Sequence, residues 1–339
     1  MKALILAGGL GTRLRPLTRN LPKPMVPIVN RPLVEHTILH LKKHNITEII
    51  FLLYYLPDVI KNHFKDGSQF GAEISYITAD DDYATAGAVK LASELVNDTF
   101  LVVSGDVITD LNISDFVQFH REKNALASVG LTSVDSPSPF GIAVTDQKDK
   151  IIKFLEKPTA GQIFSHHVNM GIYLLEPEIF DWIPEEQEYF FAKDLFPGLV
   201  AKQEGIYGFA DNCYWLDIGN FAAYQQAHRD FFENRVNLNI KEELQDGIWQ
   251  GKNCEIDREV EIEGTVVLGD NCRIEDHVFL RDSVIGGNCR IGQNCSLKNS
   301  VVWNNVRIGE NCKLRYSVVK SGLKIASGKR MKENSFIFD

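Results

Sequence analysis

Residues 2–13, Lys-Ala-Leu-Ile-Leu-Ala-Gly-Gly-Leu-Gly-Thr-Arg, decide the reading of the fold. Residues 3–7 are apolar without a polar alternation, which predicts a strand buried on both faces. Gly8, Gly9 and Gly11 follow at once. Glycines after a strand let backbone N–H groups approach phosphate oxygens with no Cβ in the way. The spacing is neither GxGxxG nor a Walker loop, since no Gly-Lys-Ser/Thr follows. Arg13 can fork onto two phosphate oxygens. Pro22-Lys23-Pro24 then places one cation between two stiff residues.

Working outward, strand-like and helix-like stretches alternate to about residue 235. Helices are expected at 31–44, 57–65, 85–96 and 113–123, the last capped by Asn112. Strands are expected at 48–53, 72–78 and 99–106. A run of strands follows at 126–134, 141–145, 151–156 and 168–175, then helices near 176–182, 192–204 and 220–234. The pattern predicts an α/β domain, a Rossmann-like, mainly parallel sheet covered on both faces, over residues 1–235. Ligands of such sheets sit beyond the carboxyl ends of the strands. Residues 236–252 read as a linker.

From 253 the texture changes. Ile256, Ile262, Leu268, Ile274 and Leu280 recur every six residues; the count slips once and resumes at Ile285, Ile291 and Leu297, then Ile308 and Leu314. A six-residue period predicts a parallel β-helix over 253–339. Asn-Cys pairs at 253–254, 271–272, 288–289, 294–295 and 311–312 keep the same rhythm. The cysteines are expected to stack inward as reduced packing groups rather than as disulfides or metal ligands.

The chain has 339 residues, 44% hydrophobic and 24% charged, with a net charge of −9. That balance argues against sequence-independent nucleic-acid binding, which needs excess Lys and Arg. No apolar run reaches the roughly 20 residues of a membrane helix, and a cytoplasmic protein is expected.

Asp106 ends the apolar strand 99–106, where a carboxylate can hold a hard cation. Asp217, in Tyr-Trp-Leu-Asp-Ile-Gly-Asn at 214–220, is a second candidate, and two carboxylates on one Mg²⁺ can bridge a triphosphate. Glu156, Lys157 and Asn169 are polar groups at strand ends suited to sugar hydroxyls or a sugar phosphate. His36, His40 and His44 share one helix face, read here as a polar face because no partner ligands are evident.

Taken together, GGLGTRLRPLT (8–18), PKPM (22–25), SGD (104–106), FGIAV (140–144), FLEKP (154–158), VNMGIYLLEP (168–177) and YWLDIGN (214–220) resemble the nucleotide-sugar pyrophosphorylases. These are sugar-1-phosphate nucleotidylyltransferases, and the stretch from FGIAV to YWLDIGN is most like the bacterial mannose-1-phosphate guanylyltransferase subgroup. The resemblance covers the whole chain and implies a left-handed β-helix at its end. It implies that Leu6, Ala7, Gly8, Gly9, Gly11, Thr12, Asp80, Ala84, Thr85 and Gly105 bind the nucleotide. Arg13 and Lys23 would neutralise the triphosphate. Asp106 and Asp217 would hold Mg²⁺. Gly141, Glu156 and Asn169 would contact the sugar, and Lys157 its phosphate. Relatives usually read Leu-Gly-Thr-Ala-Gly where this chain has Tyr83-Ala84-Thr85-Ala86-Gly87, so Ala84 is expected to narrow the base pocket.

Residues 79–83, Ala-Asp-Asp-Asp-Tyr, should approach the base. They offer carboxylates for the two adjacent donors of guanine and no amide for uracil or thymine. The expected substrates are therefore GTP and mannose-1-phosphate, with UTP or dTTP and glucose-1-phosphate as the alternative. A regulatory subunit without catalysis is the competing class, but such relatives tend to lose the loop Arg, the Lys or the metal Asp, all kept here. An acyltransferase is disfavoured, since His277 is the only His after residue 228 and no long inserted loop lies beside it. The β-helix is expected to mediate homo-oligomer assembly.

Overall fold

The computed structural model describes residues 1–238, 247–331 and 335–337. Backbone contacts divide the chain into two compact units: residues 1–12, 20–25 and 33–217, and residues 13–19, 26–32 and 218–339.

The first unit is built on a nine-stranded sheet. Its parallel half contains β1 (Ala3–Leu6), β2 (Glu48–Leu53), β3 (Glu73–Thr78) and β4 (Phe100–Ser104), in the order β4-β1-β2-β3. Helices α1 (Leu33–Lys43), α2 (Pro57–Phe64) and α3 (Ala84–Lys90) lie between these strands in sequence, as the alternation predicts. Successive residues of β1 go to different cores. Leu4 packs with Ile50, Leu52 and Val102, whereas Ala3 and Ile5 pack with Ile49, Phe51, Leu101 and Val103. Both faces are thus apolar, which is why the strand reads as an unbroken hydrophobic run.

After β5 (Val107–Thr109) and α4 (Ile113–Lys123), strands follow one another with no long helix between. They are β6 (Ala127–Ser133), β7 (Gly141–Thr145), β8 (Ile151–Glu156) and β9 (His167–Leu175). Short connections of this kind favour antiparallel pairing. Accordingly β9 runs antiparallel to β4, β6 and β7, and β7 to β8. The α4 start is capped as expected, with the Asp115 N–H donating to Asn112 Oδ1 at 3.3 Å. Residues 177–204 depart from regular helix: a 3₁₀ stretch Pro177–Trp182, then a π turn Phe191–Leu195 leading into α5 (Phe196–Ala201). β10 (Ile206–Ala210) pairs parallel to β6. β11 (Trp215–Asp217) closes the unit against β5.

The second unit holds α6 (Phe221–Phe232), which the sequence placed with the α/β region, and the β-helix. Residues 239–246 of the expected linker lie outside the described residues. The β-helix begins earlier than 253, since Ile248–Gln250 already pairs in parallel with Val266–Leu268. Three aliphatic columns stack in register. They are Ile256, Ile274, Ile291, Ile308 and Ile325; Ile262, Leu280, Leu297 and Leu314; and Leu268, Ile285, Val302 and Val319. These are the six-residue repeat folded into three faces per turn.

The Asn-Cys rhythm has two separate causes. Asn253, Asn271, Asn288 and Asn305 occupy corners at φ 55°, 56°, 58° and 62°, a left-handed region that Asn tolerates. Their amides form a ladder, with Nδ2 donating to the next Oδ1 at 3.2, 3.0 and 3.2 Å. Cys272, Cys289, Cys295 and Cys312 are buried, and all six cysteines are free. Burial pushes the Cys272 thiol up to about 12 and those of Cys289 and Cys295 up to about 11, so these groups stay protonated and inert.

Replacing Asn288 tests the corner. Ala in a left-handed conformation costs about 1–2 kcal/mol, and the two exposed ladder bonds add less than about 1 kcal/mol. Asn288→Ala is expected to destabilise the protein by about 2 kcal/mol in urea unfolding. Asn288→Gly should recover most of that; equal losses would show that the ladder, not the backbone, sets the residue.

Candidate active site

The site lies at the carboxyl end of β1 and β4 in the first unit. Gly8 follows β1 so closely that a Cβ there would sit 3.1 Å from Tyr54 Cβ. Gly105 is more constrained: a Cβ would meet the Leu6 carbonyl oxygen at 2.8 Å, while its N–H donates to that same oxygen at 2.9 Å. The close approach brings Asp106 beside the glycine loop.

Asp106 then meets Lys23. Two prolines hold Lys23 in a short 3₁₀ turn, and it is 8% exposed. Its ammonium donates to Asp106 Oδ2 and, at 3.2 Å, to Asp217 Oδ1. Asp217 reaches this point because β11 pairs with β5, setting Asp217 opposite Val107. Ser104 Oγ donates to the other Asp106 oxygen at 2.5 Å. Burial disfavours the Lys23 ammonium, but the two carboxylates outweigh it and raise its pKa. Burial likewise opposes ionisation of Asp106, and Lys23 overrides it, holding the carboxyl below its usual value. Lys23 and Asp106 are therefore both ionised at neutral pH. Among the described residues no three His, Cys, Asp or Glu converge on one point. The donor set is two carboxylates, which fits an Mg²⁺ that takes its remaining oxygens from phosphates and water.

From this trio a cavity of about 260 Å³ runs toward the start of α3. Leu6, Ala7, Gly8, Gly9, Lys23 and Asp106 line one end; Asp81, Asp82, Tyr83, Ala84, Thr85 and Phe190 line the other. Most of the expected nucleotide residues are thus brought together. Asp80 is the exception that matters. It does not line the cavity, and its carboxylate accepts the Tyr83 hydroxyl at 2.8 Å. Its neighbours Asp81 and Asp82 do line the cavity, and one oxygen of each accepts a local N–H, Asp81 Oδ1 that of Asp82 at 2.7 Å and Asp82 Oδ1 that of Ala84 at 3.1 Å, leaving the other oxygen of each for a ligand. Gly11 and Thr12 also fall outside the lining, and Gly105 acts from behind it. Arg13 is exposed in the turn Thr12–Leu14 and groups with the second unit.

Ala84 has φ 57°, in the left-handed region. That accounts for the glycine expected there: the backbone strains any residue with a Cβ, by about 1–2 kcal/mol. Glycine's own chain entropy offsets about 0.5–1 kcal/mol of that. Ala84→Gly is therefore expected to stabilise the protein by up to about 1 kcal/mol. A lower Tm than wild type would refute the strain.

The expected sugar residues form a second cluster. Gly141 and Glu156 are paired across β7 and β8, and a Cβ on Gly141 would lie 2.7 Å from Glu156 Oε2. Burial raises the Glu156 pKa, with Lys157 at 3.7 Å opposing. Asn169 sits where the β9–β6 register shifts. Its Nδ2 donates to the Tyr173 hydroxyl at 2.9 Å, and its Oδ1 accepts the Gly171 N–H at 2.9 Å. The Tyr173 pKa is raised by burial and then by Glu156 and Asp106, so both carboxylates act on one buried ring. The bulge re-aims Asn169 toward that neighbourhood. Gly141→Ala should displace the flexible end of Glu156 and press on the buried Phe154 ring, whose nearest atoms would lie 3.0 and 3.1 Å from the new Cβ. It is expected to raise the KM for the sugar phosphate about tenfold, as for loss of one charged hydrogen bond, with a small fall in Tm from the crowded Phe154 ring; an unchanged KM would remove Glu156 from the site.

Sequence reasoning missed Ser104, Tyr173 and Phe190, and within the acidic stretch 79–83 it favoured Asp80 over its neighbours. Ser104 carried a usable signal, two residues from Asp106 on the same strand end. The histidines are structural: His40 Nε2 meets the Leu111 carbonyl at 2.9 Å and His44 Nδ1 the Ser114 hydroxyl at 2.8 Å.

Residues 2–234 match the model of the nucleotidyl transferase family. The chain belongs to that family. Residues 245–339 match the left-handed β-helix domain of the EIF2B epsilon subunit. A UTP–glucose-1-phosphate uridylyltransferase of Synechocystis is 38% identical over 82% of this chain and 76% of its own length. A mannose-1-phosphate guanylyltransferase of Mycobacterium tuberculosis is 37% identical over 64% of this chain and 60% of its own. A Bacillus anthracis protein assigned as a glucose-1-phosphate thymidylyltransferase, solved with sucrose, superposes with TM-score 0.62 at 30% identity, covering 70% of this chain and 96% of that one. By name, each of these three relatives joins a nucleotide to a sugar-1-phosphate. This family member therefore carries the sugar-1-phosphate nucleotidyltransferase fold. No helix among the described residues is long and apolar enough to cross a membrane.

Proposed function

We propose that the chain makes GDP-mannose and pyrophosphate from GTP and mannose-1-phosphate, with Mg²⁺ held by Asp106 and Asp217. The observation carrying the base is the cavity wall. The end remote from Lys23 presents Asp81 and Asp82, and no Asn or Gln lines it. Carboxylates accept the adjacent N1–H and amino donors of guanine; uracil and thymine want an amide. Mannose rests on the guanylyltransferase relatives, of whose length the chain spans about 60%.

In this reading a sugar-phosphate oxygen forms a bond to the α-phosphorus while the bond from that phosphorus to the β-phosphate oxygen breaks. Pyrophosphate leaves in line. The nucleophile is already an anion, so no general base is needed. Lys23 neutralises the triphosphate, and Glu156, Asn169 and Lys157 position the sugar phosphate. The metal, when bound, supplies charge neutralisation of the triphosphate. The Gly8–Gly9 backbone cradles the phosphates and the cavity holds the base. The β-helix supports assembly into a homo-oligomer.

Two observations favour other readings. The Synechocystis relative points to UTP and glucose-1-phosphate. The β-helix match is to a subunit of a larger protein, which leaves room for a non-catalytic subunit; the intact Lys23–Asp106–Asp217 trio argues against that. Pyrophosphate release, measured for five nucleoside triphosphates against mannose-, glucose- and N-acetylglucosamine-1-phosphate, separates them. GTP with mannose should dominate, and Asp82→Asn should narrow the GTP-over-UTP preference where Asp80→Asn does not. Dominance of UTP with glucose would replace the substrate pair; no release with any pair would leave the regulatory reading.

A further inference from the structure

The β-helix carries a charge gradient that its assembly does not explain. Residues 253–270 hold six acids and one Arg, whereas residues 304–331 hold seven Lys and Arg against the single acid Glu310. In a chain of net charge −9, that basic end is a local concentration. Parallel register stacks part of it into a column: Arg273, Arg290, Arg307 and Lys324 are direct neighbours on successive coils. Strand spacing sets the cations about 5 Å apart at their backbones, so Arg290 to Lys324 spans about 10 Å.

Like charges in a column repel, and acids relieve only its first half. Arg273 pairs with Glu255 at 3.5 Å, and Arg290 is gripped by Glu275, its Nε donating to Oε1 at 2.7 Å. Arg307 and Lys324 make no ion pair among the described residues. Beside them opens a groove of about 310 Å³, lined by Arg290, Arg307, Lys324 and Ser327 with Gly292 and Gly309, and by two acids, Glu275, which is taken up by Arg290, and Glu310. Ser327 Oγ accepts the Glu310 N–H at 3.1 Å, so its hydroxyl proton remains to be donated.

We propose that this groove is an anion site, separate from the nucleotide cavity, for a compact ligand carrying two or more phosphate groups. A single phosphate satisfies one cation and leaves the repulsion between the others. Two phosphates set roughly 5 Å apart bridge the column. Arg307 offers a fork to one, Lys324 a point charge to the next, and Arg290 is pre-positioned by Glu275.

Calorimetric titration of the full chain with inorganic tripolyphosphate tests it, because this probe fits both sites. Wild type should show two sites, and Arg307→Ala/Lys324→Ala one, with its pyrophosphate release at saturating substrates unchanged. Lys324→Ala alone, which keeps most of the column, should weaken the second site about tenfold, the effect of one charged hydrogen bond, and carries the test if the double variant misfolds. Inorganic phosphate should bind the groove at least tenfold more weakly than tripolyphosphate. One site in wild type, two undiminished sites in the variants, or equal affinity for phosphate and tripolyphosphate would overturn the proposal.

Discussion

Asp106→Asn is expected to lower the rate of pyrophosphate release by about 10²–10³, the usual scale for one preorganised group at the reacting phosphates. The substitution keeps shape and the Ser104 hydroxyl contact but removes the charge that meets Lys23. Asp217 still holds the ammonium at 3.2 Å, so the fold should survive. The loss should therefore appear in kcat, with melting temperature nearly unchanged. Raising Mg²⁺ should recover part of the rate, because one carboxylate remains to bind it. Activity within a few-fold of wild type would remove Asp106 from the chemistry and with it the proposed metal site.

Lys23→Met should have a comparable effect on rate and a distinct effect on stability. Lys23 is the cation between Asp106 and Asp217, so its removal leaves two carboxylates facing one another. Breaking a fully buried pair costs about 3–5 kcal/mol. The cost here is lower, since the carboxylates are 28% and 23% exposed and water screens them. Without divalent cation the variant should melt below wild type. Added Mg²⁺ should raise its Tm more than that of wild type, because no ammonium competes for the same oxygens. Equal Mg²⁺ responses would mean that the two aspartates do not share an ion. Catalysis should stay impaired by about 10²–10³ even when Mg²⁺ restores the fold.

How much of this was legible from the residues depends on the range of the interaction that fixes each feature. The first strand, its glycine turn and the position of Asp106 follow from local pattern, because burial on both faces leaves an unbroken apolar run. The β-helix was legible for the same reason. Each coil repeats the last, so Ile256, Ile274, Ile291, Ile308 and Ile325 announce their column through spacing alone. Its first strand, Ile248–Gln250, was missed because a single terminal coil has only one neighbour and little periodicity of its own.

The site divides the same way. Sequence alone supplied the parts: the glycine loop, Lys23, two aspartates and a cluster of strand-end polar groups. Only the tertiary structure decided which parts meet. Lys23 and Asp217 are 194 residues apart and come together through the pairing of β11 with β5. Local folding decided that Asp81 and Asp82 line the cavity while Asp80 binds the Tyr83 hydroxyl, since three consecutive identical residues carry no pattern to tell them apart. The left-handed backbone at Ala84 was likewise hidden, because nothing in an alanine reports a φ of 57°. Periodic burial is written into residue order; convergence of distant charges depends on strand pairing, which residue order constrains only through the whole fold.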